Sequence, residues 1–244
     1  MTEFSINDSN TIIFECNVIK MTKLAFKLNE HLYLRDPQHT LLGQKIIHSS
    51  IKLIDQLGFE QFTFKKLADE IQSTEASIYR YFENKHRLLN YLISWYWHWM
   101  EYRIEIFTNA VVDPKEKLKA CLRVIAEEKK YDPTFEFVNE EALHKLVVAE
   151  LDKTYLTKGV DDYNKEGLFM GFKSVCQKIS QFILLVNPSY PFARALVSTI
   201  LITANQQLFF ASHLPSLTSI KANNERYQQL FNFLENIVFN SIQA

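Results

Sequence analysis

A chain of 244 residues with only five glycines and six prolines has few places to turn. Sheet architectures need turn residues at short intervals, whereas long helices need only an occasional corner. The scarcity therefore selects an all-α chain of long helices. Hydrophobic residues make up 47% and charged residues 23% of it, enough apolar material to bury a core. The length accommodates one large domain or two modest ones.

The formal net charge of −1 excludes a chain that is basic overall, so charge has to be read locally. Cys16, Cys121 and Cys176 are odd in number and widely separated. They supply neither a disulfide framework nor a Cys-x-x-Cys ligand pair, and a reducing cytoplasm is the expected setting. Near the N-terminus, Glu3, Asp8 and Glu15 stand where a secretory signal would be basic and then apolar. The most apolar stretch, residues 195–204, is about half of the roughly 20 residues that a membrane span needs. Arg194 and Gln206 close it off, and no membrane partner is expected.

Residues 1–35 read as an N-terminal arm or small hairpin, with short strands over 23–28 and 31–35 around Asn29-Glu30. Met21, where the better pattern begins, is an alternative start. From Asp36 the pattern is helical. Asp36-Pro37 offers a capping oxygen and a first-turn proline, and Ile47, Ile51, Ile54 and Leu57 recur every three or four residues before Gly58. Thr63 caps a second short helix that turns Phe64, Leu67, Ala68 and Ile71 inward. Thr74 caps a third with Ile78 and Phe82 inward, and Asn84 caps a long fourth helix. Asp113-Pro114 and Asp132-Pro133 repeat the start signal, predicting helices over 114–130, 134–157, 163–186, 191–213 and 223–242. A break falls between Gly159 and Gly167, and a corner at residues 187–191.

Three short helices followed by a long one define a tri-helical DNA-binding unit over residues 36–90, with the second and third as its helix-turn-helix. The third helix is read as running from Glu75 to about Phe82, leaving Glu75, Ala76, Ser77, Arg80 and Tyr81 outward. Arg80 is the obvious side chain for a guanine or a phosphate. Thr63 and Thr74 present hydroxyls at helix starts, where anions are favoured, while Tyr79 and Tyr81 add phenolic donors. Lys65 and Lys66 place charge on the outer side of the second helix. Lys85 sits in a first turn, where it opposes the helix dipole, as if a phosphate lay there.

The run Leu67-Ala68-x-x-Ile71-Gln72-Ser73-Thr74-Glu75-Ala76-Ser77-Ile78-Tyr79-x-Tyr81-Phe82-x-Asn84-Lys85-x-x-Leu88 closely resembles the DNA-binding signature of TetR/AcrR-type transcriptional regulators. The resemblance covers about 45 residues. It implies that Thr63, Thr74, Tyr79, Tyr81 and Lys85 meet the DNA backbone, while Glu75 to Ser77 and Arg80 face the bases. It also implies a homodimer, most often a repressor, on a near-palindromic double-stranded operator, released by a small-molecule effector. Two positions depart from the pattern: Gln72 and Ala76 stand where the family usually, or often, has glycine. A left-handed Gln72 would cost roughly 1–2 kcal/mol. Local charge is modest as well. Lys45, Lys52, Lys65, Lys66, Arg80, Lys85 and Arg87 stand against Asp55, Glu60, Asp69, Glu70, Glu75 and Glu83, a net of +1 over residues 41–90.

By the same resemblance, residues 91–244 form a larger helical domain for ligand binding and dimerisation. Leu196, Ile200 and Phe210, then Tyr227, Leu230, Leu234 and Ile237, make stripes suited to a four-helix interface between two copies, or else to the chain's own core. Trp95, His98, Trp99 and Tyr102 on the fourth helix, with His144, Phe169 and Phe172, are the candidate lining of a pocket for an apolar or aromatic molecule; ordinary packing is the alternative. Glu83-x-x-His86 and Glu141-x-x-His144 raise a helical metal enzyme as a rival, but Glu83 falls in a polar elbow before the Asn84 cap. No nucleophile motif or phosphate-cradling glycine loop occurs, so no catalytic residue, metal or cofactor is expected. A protein-interaction or ligand-binding module of the same fold that has lost DNA binding is the other alternative, favoured by Gln72, Glu75 and the weak local charge.

Overall fold

The computed structural model describes residues 25–243. They form eleven α-helices and three short 3-10 turns, with no strand among the described residues. The tri-helical unit comprises α1 (Leu41–Leu57), α2 (Phe64–Glu70) and α3 (Glu75–Tyr79). The long α4 (Lys85–Asn109) leaves it and runs into the larger domain.

Side-chain caps set most of these starts. Thr40, Thr63, Thr74 and Asn84 each accept from an amide of the first turn that follows. Asp36-Pro37 does act as a start signal, but for a 3-10 turn (Pro37–His39), and α1 begins four residues later on the Thr40 cap. Gly43 is fixed by this approach: a Cβ there would stand 2.3 Å from the Pro37 carbonyl oxygen. Ile46, Ile47, Ile51 and Ile54 line the buried face of α1, and Gly58, at φ 76°, ends it.

α4 is buried on nearly every side from Leu88 to Met100 because α5 (Pro114–Ala126), α6 (Glu140–Glu150) and α9 (Met170–Val186) all pack on it. Between α6 and α9 come the short helices α7 (Asp152–Tyr155) and α8 (Val160–Lys165); α10 (Ala193–His213) and α11 (Arg226–Ile242) complete the domain. By length and composition α10 is apolar enough to cross a membrane, but Val197, Ile200, Leu201 and Ala204 are buried in this chain's core, where α10 meets α9 and α11.

Three expectations are corrected. Residues 23–35 do not pair as a hairpin in their described part, and residues 1–24 lie outside the described residues. Asn29 instead caps a 3-10 turn (Glu30–Leu32) by accepting from the His31 amide at 2.8 Å. Leu28 and Leu32, four apart, then both enter the core. The helix expected over 134–157 starts at Glu140, capped by Asn139. Asp132 spends its carboxylate on the Thr134 amide in a turn, and its own amide donates to Glu140 at 3.0 Å. Finally, the helix expected over 163–186 is divided at Gly167, φ 78°.

Candidate nucleic-acid interface

The turn between α2 and α3 is set by backbone geometry. The Ser73 amide donates to the Ala68 carbonyl at 2.9 Å and the Gln72 amide to that of Asp69 at 3.3 Å, the paired bonds of a Schellman close. This requires a left-handed residue, and Gln72 takes that place at φ 53°, a strain of about 1 kcal/mol. Thr74 then caps α3, accepting from the Ser77 amide at 3.2 Å and meeting the Ser77 hydroxyl at 3.0 Å.

α3 is held from beneath by Ile78 and Phe82, both fully buried. Outward it presents Glu75, Ala76 and Arg80, with Ser77 half-buried. The Arg80 amide donates to the Ile78 carbonyl, while its guanidinium makes no hydrogen bond or ion pair among the described residues. Tyr79 is 48% exposed, its ring edge-on to Phe64 at 5.0 Å. Thr63 is exposed at the start of α2 beside Lys65 and Lys66, and Lys66 donates to the Gln61 carbonyl at 2.9 Å. Thr63, Lys65, Lys66, Thr74, Glu75, Ala76, Tyr79 and Arg80 are thus all exposed on α2, α3 and the residues that flank them.

Two expected members are placed elsewhere. Tyr81 is 2% exposed: its hydroxyl lies 2.8 Å from the Thr40 hydroxyl, its carbonyl accepts from the Leu34 amide at 2.8 Å, and the Arg35 guanidinium sits over its ring. The outward placement assumed that α3 continues to residue 82. The helix ends at Tyr79, and the turn that follows swings Tyr81 inward. Lys85 directs its ammonium at the carbonyls of Phe59, Glu60 and Phe62 (3.1, 3.2 and 3.3 Å) and lies over the Phe59 ring. Its charge pins the loop between α1 and α2, which also explains its tolerance in a helix first turn.

Contacts that tie this unit to the larger domain carry no local sequence signal. Glu150 accepts from the Phe59 amide at 3.1 Å, and Lys153 joins Glu150 (2.9 Å) to Glu60 (2.7 Å). Arg87 donates to Glu166 at 2.6 Å, holding the Glu166 carboxyl below its usual range, and Asn29 donates to the Glu166 carbonyl. A strap over residues 25–40 crosses the same seam, with the Phe26 ring 5.2 Å from both Trp95 and Phe135.

The candidate pocket residues do not converge on one cavity. Trp95 and Trp99 are fully buried packing residues. His98 Nδ1 donates to the Ser94 carbonyl at 2.8 Å and lies so close under α9 that a Cβ on Gly171 would stand 2.7 Å from it. Tyr102 edges one groove, while Phe169 and Phe172 line a separate cleft of about 650 Å³. His144 lines a third, of about 370 Å³, between α1, α6, α10 and α11. Of the stripe residues, Leu196, Ile200, Leu230 and Leu234 are buried in this chain's own core, so a second copy would not meet them. Phe210, Tyr227 and Ile237 are half-buried. The two Glu-x-x-His pairs are spent differently: Glu83 approaches Arg87, Glu141 pairs with Lys145, and His144 bonds Tyr96. No group of three or more metal-ligating side chains comes together among the described residues.

A capped tri-helical unit with a short outward helix, joined by one long helix to a larger helical domain, defines a helix-turn-helix fold. Residues 46–92 match the family model for bacterial regulatory proteins of the tetR family, and the chain is TetR-type in fold. Solved structures agree over most of its length. The fatty acid degradation regulator FadR from Bacillus halodurans superposes with a TM-score of 0.56 at 14% identity, covering 86% of this chain and 97% of that one. AibR in complex with isovaleryl coenzyme A and operator DNA gives 0.52 at 14%, covering 80% and 98%. The ketosteroid transcriptional regulator KstR2 of Mycobacterium tuberculosis gives 0.51 at 13%, covering 83% and 94%. No curated protein matches the sequence.

Proposed function

We propose that this protein is a cytoplasmic transcriptional regulator that binds a near-palindromic operator as a homodimer, acts as a repressor, and is released by a small molecule. The observation that carries the reading is the outer face of α3, where Glu75, Ala76 and Arg80 are exposed on a helix whose underside is locked by Ile78 and Phe82. Arg80 reads a base edge, and Thr63, Thr74, Tyr79, Lys65 and Lys66 meet phosphates. A helix this short needs a second copy for affinity, with half-sites about 34–36 Å apart. The outer faces of α10 and α11 supply the contact, through Ile202 and Phe210 on one and Phe233 and Ile237 on the other, all at least partly exposed. The effector is an apolar or aromatic molecule held in the larger domain. Neighbours that include a fatty acid degradation regulator and a regulator solved with isovaleryl coenzyme A and operator DNA support an apolar component.

Selection of genomic fragments on the purified protein, followed by titration at two salt concentrations, tests the reading. Enrichment of a palindrome whose affinity falls steeply with salt is the expected result. A second reading, a fold that no longer binds DNA, is favoured by one observation: Tyr81 and Lys85 are consumed inside the protein. Folded, dimeric protein that enriches no fragment would establish it.

A further inference from the structure

The cleft of about 370 Å³ between α1, α6, α10 and α11 lies where the DNA-binding unit meets the larger domain, and its size is at the small end of ligand sites. Two of its polar lining side chains are buried, His144 at 8% exposure and Lys129 at 2%, and lysine is a type that proteins seldom bury. His144 Nδ1 is 3.0 Å from the Tyr96 hydroxyl, and its Nε2 has no partner among the described residues. If Nδ1 carried the proton, both the buried phenol proton and Nε2 would go unsatisfied. The arrangement that wastes least has Tyr96 donating to Nδ1, which leaves an Nε2–H unspent.

Lys129 donates to the carbonyls of Val124, Ile125 and Glu127 at 2.7–2.9 Å, so its hydrogen bonds are made, but no carboxylate pairs with its charge among the described residues. Burial pushes it down to about 7. At the rim, Arg226 stacks on Tyr227 and donates to its hydroxyl at 2.8 Å, also without a carboxylate partner. Two acidic groups face the same space. Glu141 is taken up by Lys145 at 2.8 Å, and Asp55 projects from α1. Lys129, Lys145 and Arg226 thus stand against Asp55 and Glu141, and Val148, Leu208 and Phe209 supply an apolar stretch of wall, with Ser212 and His213 beside it.

We infer that this cleft binds a small organic carboxylate with an apolar body. Its carboxylate faces Lys129, His144 and Arg226, and its body lies on Val148, Leu208 and Phe209. An anion here accepts from the one buried N–H that the fold leaves unspent, His144 Nε2–H, and sets a negative charge beside Lys129 and Arg226, which an uncharged ligand of the same shape does not. The site touches both domains. Asp55 lies three residues before Gly58, and the far end of α6 holds the Phe59 amide through Glu150. A ligand wedged between α1 and α6 therefore bears on the loop that orients α2 and α3. That regulatory consequence rests on the operator-binding reading, whereas carboxylate binding does not.

Calorimetric titration of the full chain with octanoate and benzoate, beside octanamide and benzamide, tests the site. At least one acid is expected to bind about tenfold or more tighter than its amide. Val148→Trp, which fills the cleft, and Arg226→Gln, an independent change at the rim, should each weaken that acid by about tenfold, with an unchanged helical spectrum. Failure of both acids to bind at millimolar concentration, equal binding of acid and amide, or wild-type affinity in folded Val148→Trp would overturn the inference. Operator affinity measured on the same preparations separates the two claims. Acid binding without operator binding leaves the site standing and removes the regulator; operator binding without acid binding does the reverse.

Discussion

The turn between α2 and α3 and the middle of α4 are built on opposite principles. At the turn every boundary is made by a neighbour in sequence: Thr63 and Thr74 cap the helices they precede, and the Schellman bonds span five residues. In the middle of α4 the partners come from far away. Trp95 meets Phe26 and Phe135, Tyr96 meets His144, and Trp97 meets Phe172. The difference teaches where each property resides. The outward surface of α3 is a local construction, while its attachment to the larger domain is a property of the assembled fold.

Removing a long-range partner should therefore do the most damage. Trp95→Ala deletes a fully buried indole that packs on the strap and on Phe135, and should cost about 3–5 kcal/mol in urea unfolding. A loss below about 1 kcal/mol would mean that the strap and α4 are not one core.

The next effect is a pH dependence that only the buried region should show. Burial raises Glu140 to about 7 and lowers Lys129 to about 7. Between pH 4.5 and 7 the folded state holds Glu140's proton more tightly than the unfolded chain, so this group's contribution to stability falls as pH rises. Between pH 7 and 10.5 the unfolded chain holds Lys129's proton more tightly, so that contribution rises with pH. Their sum is a dip near neutrality. Urea midpoints at pH 5, 7 and 9 should trace it, with Glu140→Gln flattening the acid limb and Lys129→Met the alkaline one.

Local devices predict smaller changes. Thr74→Ala removes the cap of the outward helix and should cost about 1 kcal/mol. Gln72→Gly relieves the left-handed strain and should gain about 1 kcal/mol, leaving the helix positions unchanged. If Gln72→Gly instead destabilises, the Gln72 side chain is contributing something that its backbone angle does not explain.

The same contrast sets how much was legible from the residues alone. Helix starts at Phe64, Glu75, Lys85 and Pro114 follow from caps that a linear reading sees. Asp132-Pro133 misleads because Glu140, eight residues on, captures the Asp132 amide, and Phe135 is anchored against Trp95. Tyr81 misleads because helical periodicity was carried two residues past the point where α3 stops. Leu196, Ile200, Leu230 and Leu234 form true apolar stripes, but a stripe does not say whether it faces its own chain or a second copy. The seam formed by Glu150, Lys153 and Glu60, and by Arg87 and Glu166, had no signal at all, since its members are brought together only by the fold.

The most direct test of the account compares two side chains on either side of α3. Operator titration of Arg80→Ala and Tyr81→Phe, alongside urea unfolding of both, separates a reading residue from an anchoring one. The account predicts that Arg80→Ala loses about 1–3 kcal/mol of operator affinity, relaxes preference at one position, and keeps its stability. Tyr81→Phe should lose about 1 kcal/mol of stability, with operator affinity per folded protein unchanged. Wild-type affinity in Arg80→Ala, together with a loss of affinity at unchanged stability in Tyr81→Phe, would contradict it.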